Sequence, residues 1–380
     1  MNRPVFLLSS VLLAFGAGCG SSGSSNAAPV AAGSDAGTAS DAPASTSEDG
    51  GLSDASTSSC VVTLPPACAA APPQVGPKRD WRHASSGFLV GAANHRGRDL
   101  FLNTAQDQWV IGRFAVGAAL AELPVKDEEV DIWLNRDCGS GWEKIGMALT
   151  TDTPTKAAVE GVEDAAGRVF FQIPAAQKLG PGRHRLRMVL AGDLTGAEVF
   201  IEVVTPGTPM FVSDVDGTLT TSEAAEFTSL LTAQISQANP SSPEALTALA
   251  AKGYRPMYVT ARPEWLVERT RDFVRDRGFP AGIIHTLTTG ALPANGAAAV
   301  AYKSGELAQL TARGLYPTFV FGNTVTDAEA YDAAQVQPLD HRIFFKFGEA
   351  DGGQIFGGRR IDDYAVLLPE FASLNAACPP

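Results

Sequence analysis

At 380 residues, 45% of them hydrophobic, the chain is long enough for two ordinary domains with well-formed cores. Its net charge of −12 excludes nucleic acid as a general partner, because phosphate backbones demand clustered Lys and Arg. Any anionic substrate must therefore be held by local charge.

The elements begin with a secretion signal: Arg3 precedes an apolar stretch, 5–15, too short for a helix that stays in the membrane. Gly16-Ala17-Gly18-Cys19 then resembles a bacterial lipoprotein processing site, which makes 1–19 the signal peptide and Cys19 the lipid anchor. Gly16 stands where that signal usually carries an apolar residue, so ordinary cleavage, leaving a periplasmic or secreted protein, is the alternative. A lipidated Cys19 would hold the protein to a bacterial membrane, each buried methylene contributing roughly 0.8 kcal/mol. Residues 20–59 contain no Lys, Arg or aromatic side chain, and the Ser/Ala/Gly/Asp-rich segment 20–75 reads as a disordered tether. With Cys19 consumed, Cys60, Cys68, Cys138 and Cys378 remain to form disulfides. Of the three pairings, Cys60–Cys68 with Cys138–Cys378 is expected, and no C-x-x-C spacing marks a structural zinc site.

Residues 76–206 carry short strand-like runs at 108–116, 129–135, 168–173, 184–190 and 198–204. Alternation such as Val130-Asp131-Ile132-Trp133-Leu134, with a turn at Gly180-Pro181-Gly182, predicts an antiparallel β-sandwich of immunoglobulin-like appearance. Lys78, Arg79, Arg82, His83, His95, Arg96 and Arg98 form a basic run, expected to be a solvated loop. The alternative is a contact for anionic lipid headgroups.

Residues 207–380 alternate apolar strands (254–259, 283–285, 318–321, 343–345) with helical segments (243–252, 263–278, near 304–313, 326–334), which predicts a Rossmann-like parallel sheet covered on both faces. The domain opens with Phe211-Val212-Ser213-Asp214-Val215-Asp216-Gly217-Thr218-Leu219-Thr220, in which two carboxylates follow an apolar run. Both would emerge at the carboxyl end of a central strand, where open α/β sheets bind ligands, with Gly217 allowing the sharp turn. There Asp214 can attack phosphorus to give an aspartyl-phosphate, a cation letting the two anions approach, while Asp216 protonates the leaving oxygen and later activates water.

The D-x-D-G-T-L-T pattern resembles motif I of the haloacid dehalogenase superfamily of phosphatases. Three further motifs follow in that family's order: Thr260-Ala261-Arg262-Pro263, then Lys303, then Gly322-Asn323 with Asp327. The resemblance implies that Thr260 and Lys303, with Arg262, hold the phosphoryl group. Asp214 and Asp327 would bind Mg²⁺ through carboxylates and Asp216 through its backbone carbonyl, supported by Gly217, Thr218 and Asn323. Mg²⁺ prefers such hard oxygen ligands. Each motif alone has a plainer reading, as a solvated turn, a strand terminus, a surface lysine or a helix cap. It is the order, each motif following a strand or opening a helix, that points to a site.

Between about 209 and 370 the chain looks most like the catalytic domain of the lipins, which are magnesium-dependent phosphatidate phosphatases. The residues that carry this are Asp214 to Thr220, Val259-Thr260-Ala261-Arg262 and Phe321-Gly322-Asn323 with Asp327. A longer resemblance, from about 111 to 358, is to the C-terminal half of the retinal degeneration B (Nir) class of phosphatidylinositol transfer proteins. Gly112-Arg113-Phe114, Gly167-Arg168-Val169, Tyr258-Val259-Thr260-Ala261-Arg262-Pro263 and Gly278-Phe279-Pro280-Ala281-Gly282 are among the matching residues. In those relatives the domain is thought to bind phosphatidic acid without hydrolysing it, motif I lacking the nucleophile. Here Asp214 and Asp216 are both in place, which favours catalysis. No large insertion separates the motifs, and an uncapped site suits a lipid headgroup presented at a membrane. The expected function is thus a Mg²⁺-dependent phosphatase for phosphatidate or a related lipid phosphate. The alternatives are a non-catalytic phosphatidate-binding or tethering module, and a phosphatase for a phosphoprotein, sugar phosphate or nucleotide.

Overall fold

The computed structural model describes residues 62–118, 121–221, 234–348 and 354–378. The signal peptide with Cys19, the tether before residue 62, and Cys60 lie outside the described residues.

Among the described residues, ten strands build the first domain: β1 (Arg96–Arg98), β2 (Leu100–Asn103), β3 (Trp109–Arg113), β4 (Ala115–Val116), β5 (Leu123–Pro124), β6 (Glu129–Asn135), β7 (Glu143–Leu149), β8 (Arg168–Gln172), β9 (Gly182–Leu190) and β10 (Gly196–Val204). A three-stranded sheet, β1-β3-β8, faces a five-stranded one, β2-β10-β9-β6-β7, and their inner faces share one apolar core. Alternation decides which side chains enter it: Val130, Ile132 and Leu134 are wholly buried, while Asp131 between them meets Arg79 and Lys144. The sandwich is not antiparallel throughout, because β2 pairs with β10 in parallel. The chain changes sheets between β1 and β2, at buried Asp99, whose Oδ1 accepts the Phe200 amide at 2.8 Å.

Residues 62–75, expected to belong to the tether, carry no helix or strand but lie against this sandwich. Arg185 donates to the carbonyls of Cys68 and Ala70, and Trp142 Nε1 to that of Ala71. The expected disulfide pairing is corrected: Cys68 joins Cys138, with Cα atoms 4.5 Å apart, and so fastens this segment to the sandwich. Cys378 is also disulfide-bonded.

The second domain contains β11 (Met210–Ser213), β12 (Arg255–Pro263), β13 (Ile283–Leu287), β14 (Pro317–Gly322), β15 (Arg342–Phe345) and β16 (Arg359–Ile361). They form one sheet of order β13-β12-β11-β14-β15-β16, with every neighbouring pair parallel. Helices α1 (Ser242–Ala250), α2 (Val267–Asp276) and α5 (Leu368–Ser373) cover one face, and α3 (Ala297–Ala312) and α4 (Val325–Ala333) the other. Strand β11 serves both layers, sending Phe211 into the first and Met210 and Val212 into the second. In this doubly wound order the connections diverge on either side of β11, and the carboxyl end of such a strand is where open α/β sheets bind ligands. Helix α3 begins earlier than predicted, because Gly296 precedes an Ala-rich run of high helix propensity, and Lys303 therefore sits mid-helix.

The two domains share a buried polar boundary. Lys78, Arg79, Arg82 and His83 are exposed, but His95, Arg96 and Arg98 are buried, so the basic run is neither one solvated loop nor a free lipid contact. Arg96 reaches Glu264 at 2.9 Å, Arg98 reaches Glu306 at 2.6 Å, and Arg168 reaches Glu264 at 2.7 Å. Arg271 of α2 binds Asp99 in return. Phe101 and Val204 of the sandwich join the same apolar cluster as Val212, Leu307 and Leu310 of the second domain.

Candidate active site

Residues 214–220 leave the end of β11 as a tight loop in which Gly217 has φ 73° and Leu219 and Thr220 both donate to the Val215 carbonyl. Asp214 still belongs to the sheet through its amide, which donates to Phe321 of β14. Its carboxylate, almost wholly buried, accepts from Lys303 Nζ at 2.7 Å, and its second oxygen lies 3.1 Å from the Thr218 hydroxyl. That hydroxyl is 2.7 Å from Asn323 Oδ1.

Lys303 also lies 2.5 Å from Asp327, which opens α4. The other oxygen of Asp327 accepts the amides of Asn323 and Thr324 and the Thr324 hydroxyl, a capping box that satisfies the helix start and fixes the acid. Gly322 permits this close approach, since a Cβ there would come within 2.4 Å of Asp327 Cβ. Asp216 points elsewhere: Arg262 Nη2 reaches it at 2.8 Å and Nε at 2.9 Å, and the Thr260 hydroxyl donates at 3.0 Å. Thr260 and Arg262 lie where β12 slips register against β13 between Val259 and Pro263, an irregularity of the kind that re-aims side chains beside active sites.

The predicted residues Asp214, Asp216, Thr260, Arg262, Lys303, Asn323 and Asp327 thus meet at the carboxyl edge of the sheet, in two groups. One is Lys303 between Asp214 and Asp327, and the other is Asp216 with Arg262 and Thr260. Burial pushes the Asp214 carboxyl up, Lys303 pulls it back, and the charges of Asp327 and Asp216 push it further, with the upward direction prevailing. Burial would pull the Lys303 ammonium down, but Asp214 and Asp327 outweigh it and hold lysine in its charged form.

Among the described residues, no group of three or more carboxylate, His or Cys side chains is arranged to hold a metal. Lys303 occupies the point shared by Asp214 and Asp327, and Asp216 is turned toward Arg262. The donor chemistry nonetheless fits a divalent cation, because three carboxylates stand against two cationic side chains and all the nearby acceptors are hard oxygens.

Two contributors have no motif of their own. Asn239 Nδ2 donates to the carbonyls of Gly217, Thr218 and Thr220 at 3.2, 2.8 and 2.9 Å, clamping the loop after Asp214. Tyr364, buried beneath the loop, donates to the Thr218 carbonyl at 3.1 Å. A lone Asn 23 positions after Asp216 gives no sequence signal, and Tyr364 lies far downstream.

Fold and site together define a two-part chain, a β-sandwich joined to a doubly wound parallel-sheet domain with three carboxylates gathered at the carboxyl edge of its sheet. Comparison with known proteins matches one family model to each part. Residues 93–203 match the family model described as the PITM 1-3 beta-sandwich domain, and residues 211–345 the one described as the PITM 1-3 LNS2 domain. Protein retinal degeneration B of Drosophila melanogaster is 27% identical over 211 residues, covering 55% of this chain and 15% of that protein. Membrane-associated phosphatidylinositol transfer protein 2 of Mus musculus is 28% identical over 194 residues, covering 51% of this chain and 13% of its own length. For Membrane-associated phosphatidylinositol transfer protein 3 of Homo sapiens the figures are 25% over 193 residues, 50% and 18%. The chain is therefore similar to a small part of much longer proteins, 13 to 18% of their length.

Proposed function

We propose that the protein is a Mg²⁺-dependent phosphatase of the haloacid dehalogenase type, hydrolysing a phosphomonoester, with phosphatidate or a related lipid phosphate as substrate. The observation that carries this reading is Lys303, a buried ammonium shared between Asp214 at the end of the central strand and Asp327 at the start of α4. Asp214 attacks phosphorus as the bond to the alcohol oxygen breaks, and Asp216 gives that oxygen a proton. Water, giving its proton to Asp216, then attacks the aspartyl-phosphate, releasing phosphate and Asp214. Lys303 neutralises the nucleophile and the transferring group, while Thr260 and Arg262 leave Asp216 to bind phosphoryl oxygens. Bound by the carboxylates of Asp214 and Asp327 and the Asp216 carbonyl, Mg²⁺ would supply the charge that lets two anions approach. The phosphatidylinositol transfer proteins among the relatives support a phospholipid, and the Cys19 signal supports export and anchoring at a bacterial membrane.

A second reading, a phosphatidate-binding module without turnover, draws support from the way Arg262 and Thr260 hold Asp216. One experiment separates the two. Phosphate release from phosphatidate in mixed micelles is measured with and without Mg²⁺ for the unaltered protein and for Asp214→Asn. Release requiring both metal and Asp214 supports the phosphatase, release undiminished in Asp214→Asn sinks it, and no release alongside liposome binding favours the module.

A further inference from the structure

The sandwich grips one helix of the second domain, and it is the helix that carries Lys303. Arg98, at the end of β1, binds Glu306 at 2.6 Å, with both side chains buried. Glu306 lies three residues after Lys303 on the buried side of α3, and its other oxygen meets His285 Nδ1 of β13 at 2.5 Å. The opposite nitrogen of that imidazole contacts the Asp99 carbonyl, in the sandwich, at 2.8 Å. Further along α3, Gly161 approaches Gln309 so closely that a Cβ on the glycine would lie 2.5 Å from Gln309 Nε2. Glu160 pairs with Arg313, which follows the helix directly. Positions 306, 309 and 313 are spaced by three and four residues and so form one stripe along the helix, and Leu307 and Leu310 share an apolar cluster with Phe101 and Val204 of the sandwich.

We propose that Arg98 is a positioning residue for the site: through Glu306 it sets where α3 stands along the sheet, and hence where Lys303 meets Asp214 and Asp327. The inference rests on the reading of Lys303 as the partner of the nucleophile, and it gives the sandwich a part in the chemistry. A rigid helix transmits the constraint, since Glu306 and Lys303 are less than one turn apart and cannot shift independently. A displacement of about 1 Å at a reacting group can cost on the order of a hundredfold in rate.

The test is a double-mutant cycle on the full chain, Arg98→Met with Lys303→Met, read on phosphate release from phosphatidate micelles and on urea unfolding. Arg98→Met should lower kcat about tenfold or more with KM within about twofold, and should cost little further kcat once Lys303 is gone. Arg98→Lys, keeping the charge, should recover part of the loss. Arg183→Met, which breaks another buried contact across the same boundary, to the Gly282 carbonyl, without touching α3, His285 or Asp99, should lower stability and leave kcat within about twofold. If the Arg98 and Lys303 effects multiply independently, or if Arg183→Met lowers kcat as much as Arg98→Met does, the positioning role is overturned. If the unaltered protein releases no phosphate, the phosphatase reading fails by itself. The unfolding cycle then decides: non-additive shifts in midpoint support the coupling of Arg98 to Lys303, and additive shifts overturn it.

Discussion

Glu264→Ala tests whether the domain boundary holds the two parts as one folding unit. Glu264 follows β12 and accepts from two buried sandwich arginines, Arg96 at 2.9 Å and Arg168 at 2.7 Å. After truncation Arg96 keeps Glu122 through two contacts, at 2.6 and 2.9 Å, but Arg168 retains only the Thr288 carbonyl. Arg168 has a side chain 3% exposed and its Nε already lacks a partner, so it becomes an uncompensated buried cation. Breaking a buried pair from one side costs about 3–5 kcal/mol. With about 300 folded residues the unfolding entropy near the midpoint is roughly 0.6 kcal/mol/K, which converts this loss to a fall in Tm of about 5–8 °C. Differential scanning calorimetry at pH 7 measures it, and Glu264→Gln, which keeps an acceptor, should fall by less. A drop under about 1 °C, or two separate transitions of which only one moves, would refute the reasoning.

Asn239→Ala leaves three carbonyls of the 217–220 loop without their shared donor; a stability loss of about 1–3 kcal/mol in urea should come with a larger fall in kcat than in KM. Burial lowers His95 from 6.5 to about 4, and its Nδ1 accepts the Ala115 amide, so the folded state favours the neutral ring. Its contribution is whole above pH 6.5 and is lost as pH falls toward 4, at most about 3 kcal/mol. The slope of urea stability between pH 7 and 4 should therefore be shallower in His95→Gln, and an unchanged slope would count against the assignment. Cys138→Ser opens a loop whose ends are separated by 70 residues and should cost about 4 kcal/mol if the unfolded chain is otherwise unconstrained, read as a lower urea midpoint. An unshifted midpoint would mean that this cross-link does not constrain the unfolded chain.

By itself the sequence determined the features that repeat locally. Alternation placed β6 over Glu129–Asn135, and apolar runs located β11, β12, β14 and β15 to within a few residues of their observed ends. Asp214, Asp216, Thr260, Arg262, Asn323 and Asp327 were legible because each stands close to where such a run stops or a helix takes over, and the doubly wound sheet brings those ends to one edge, whereas Lys303 sits mid-helix and only the order of the motifs pointed to it. Tertiary structure alone decided the partners. Arg98 and Glu306 are 208 positions apart, Arg168 and Glu264 are 96 apart, and an arginine in a basic run looks the same whether it is solvated or buried. The same holds for Asp216, which the sequence places beside Asp214 but the fold turns toward Arg262. The Cys68–Cys138 pairing and the Asn239 clamp were equally hidden, because a single side chain recognised by geometry leaves no period to read. Burial of an apolar face is decided by composition within a few residues, whereas the choice of counter-ion depends on which surfaces close over the charge once both domains have packed.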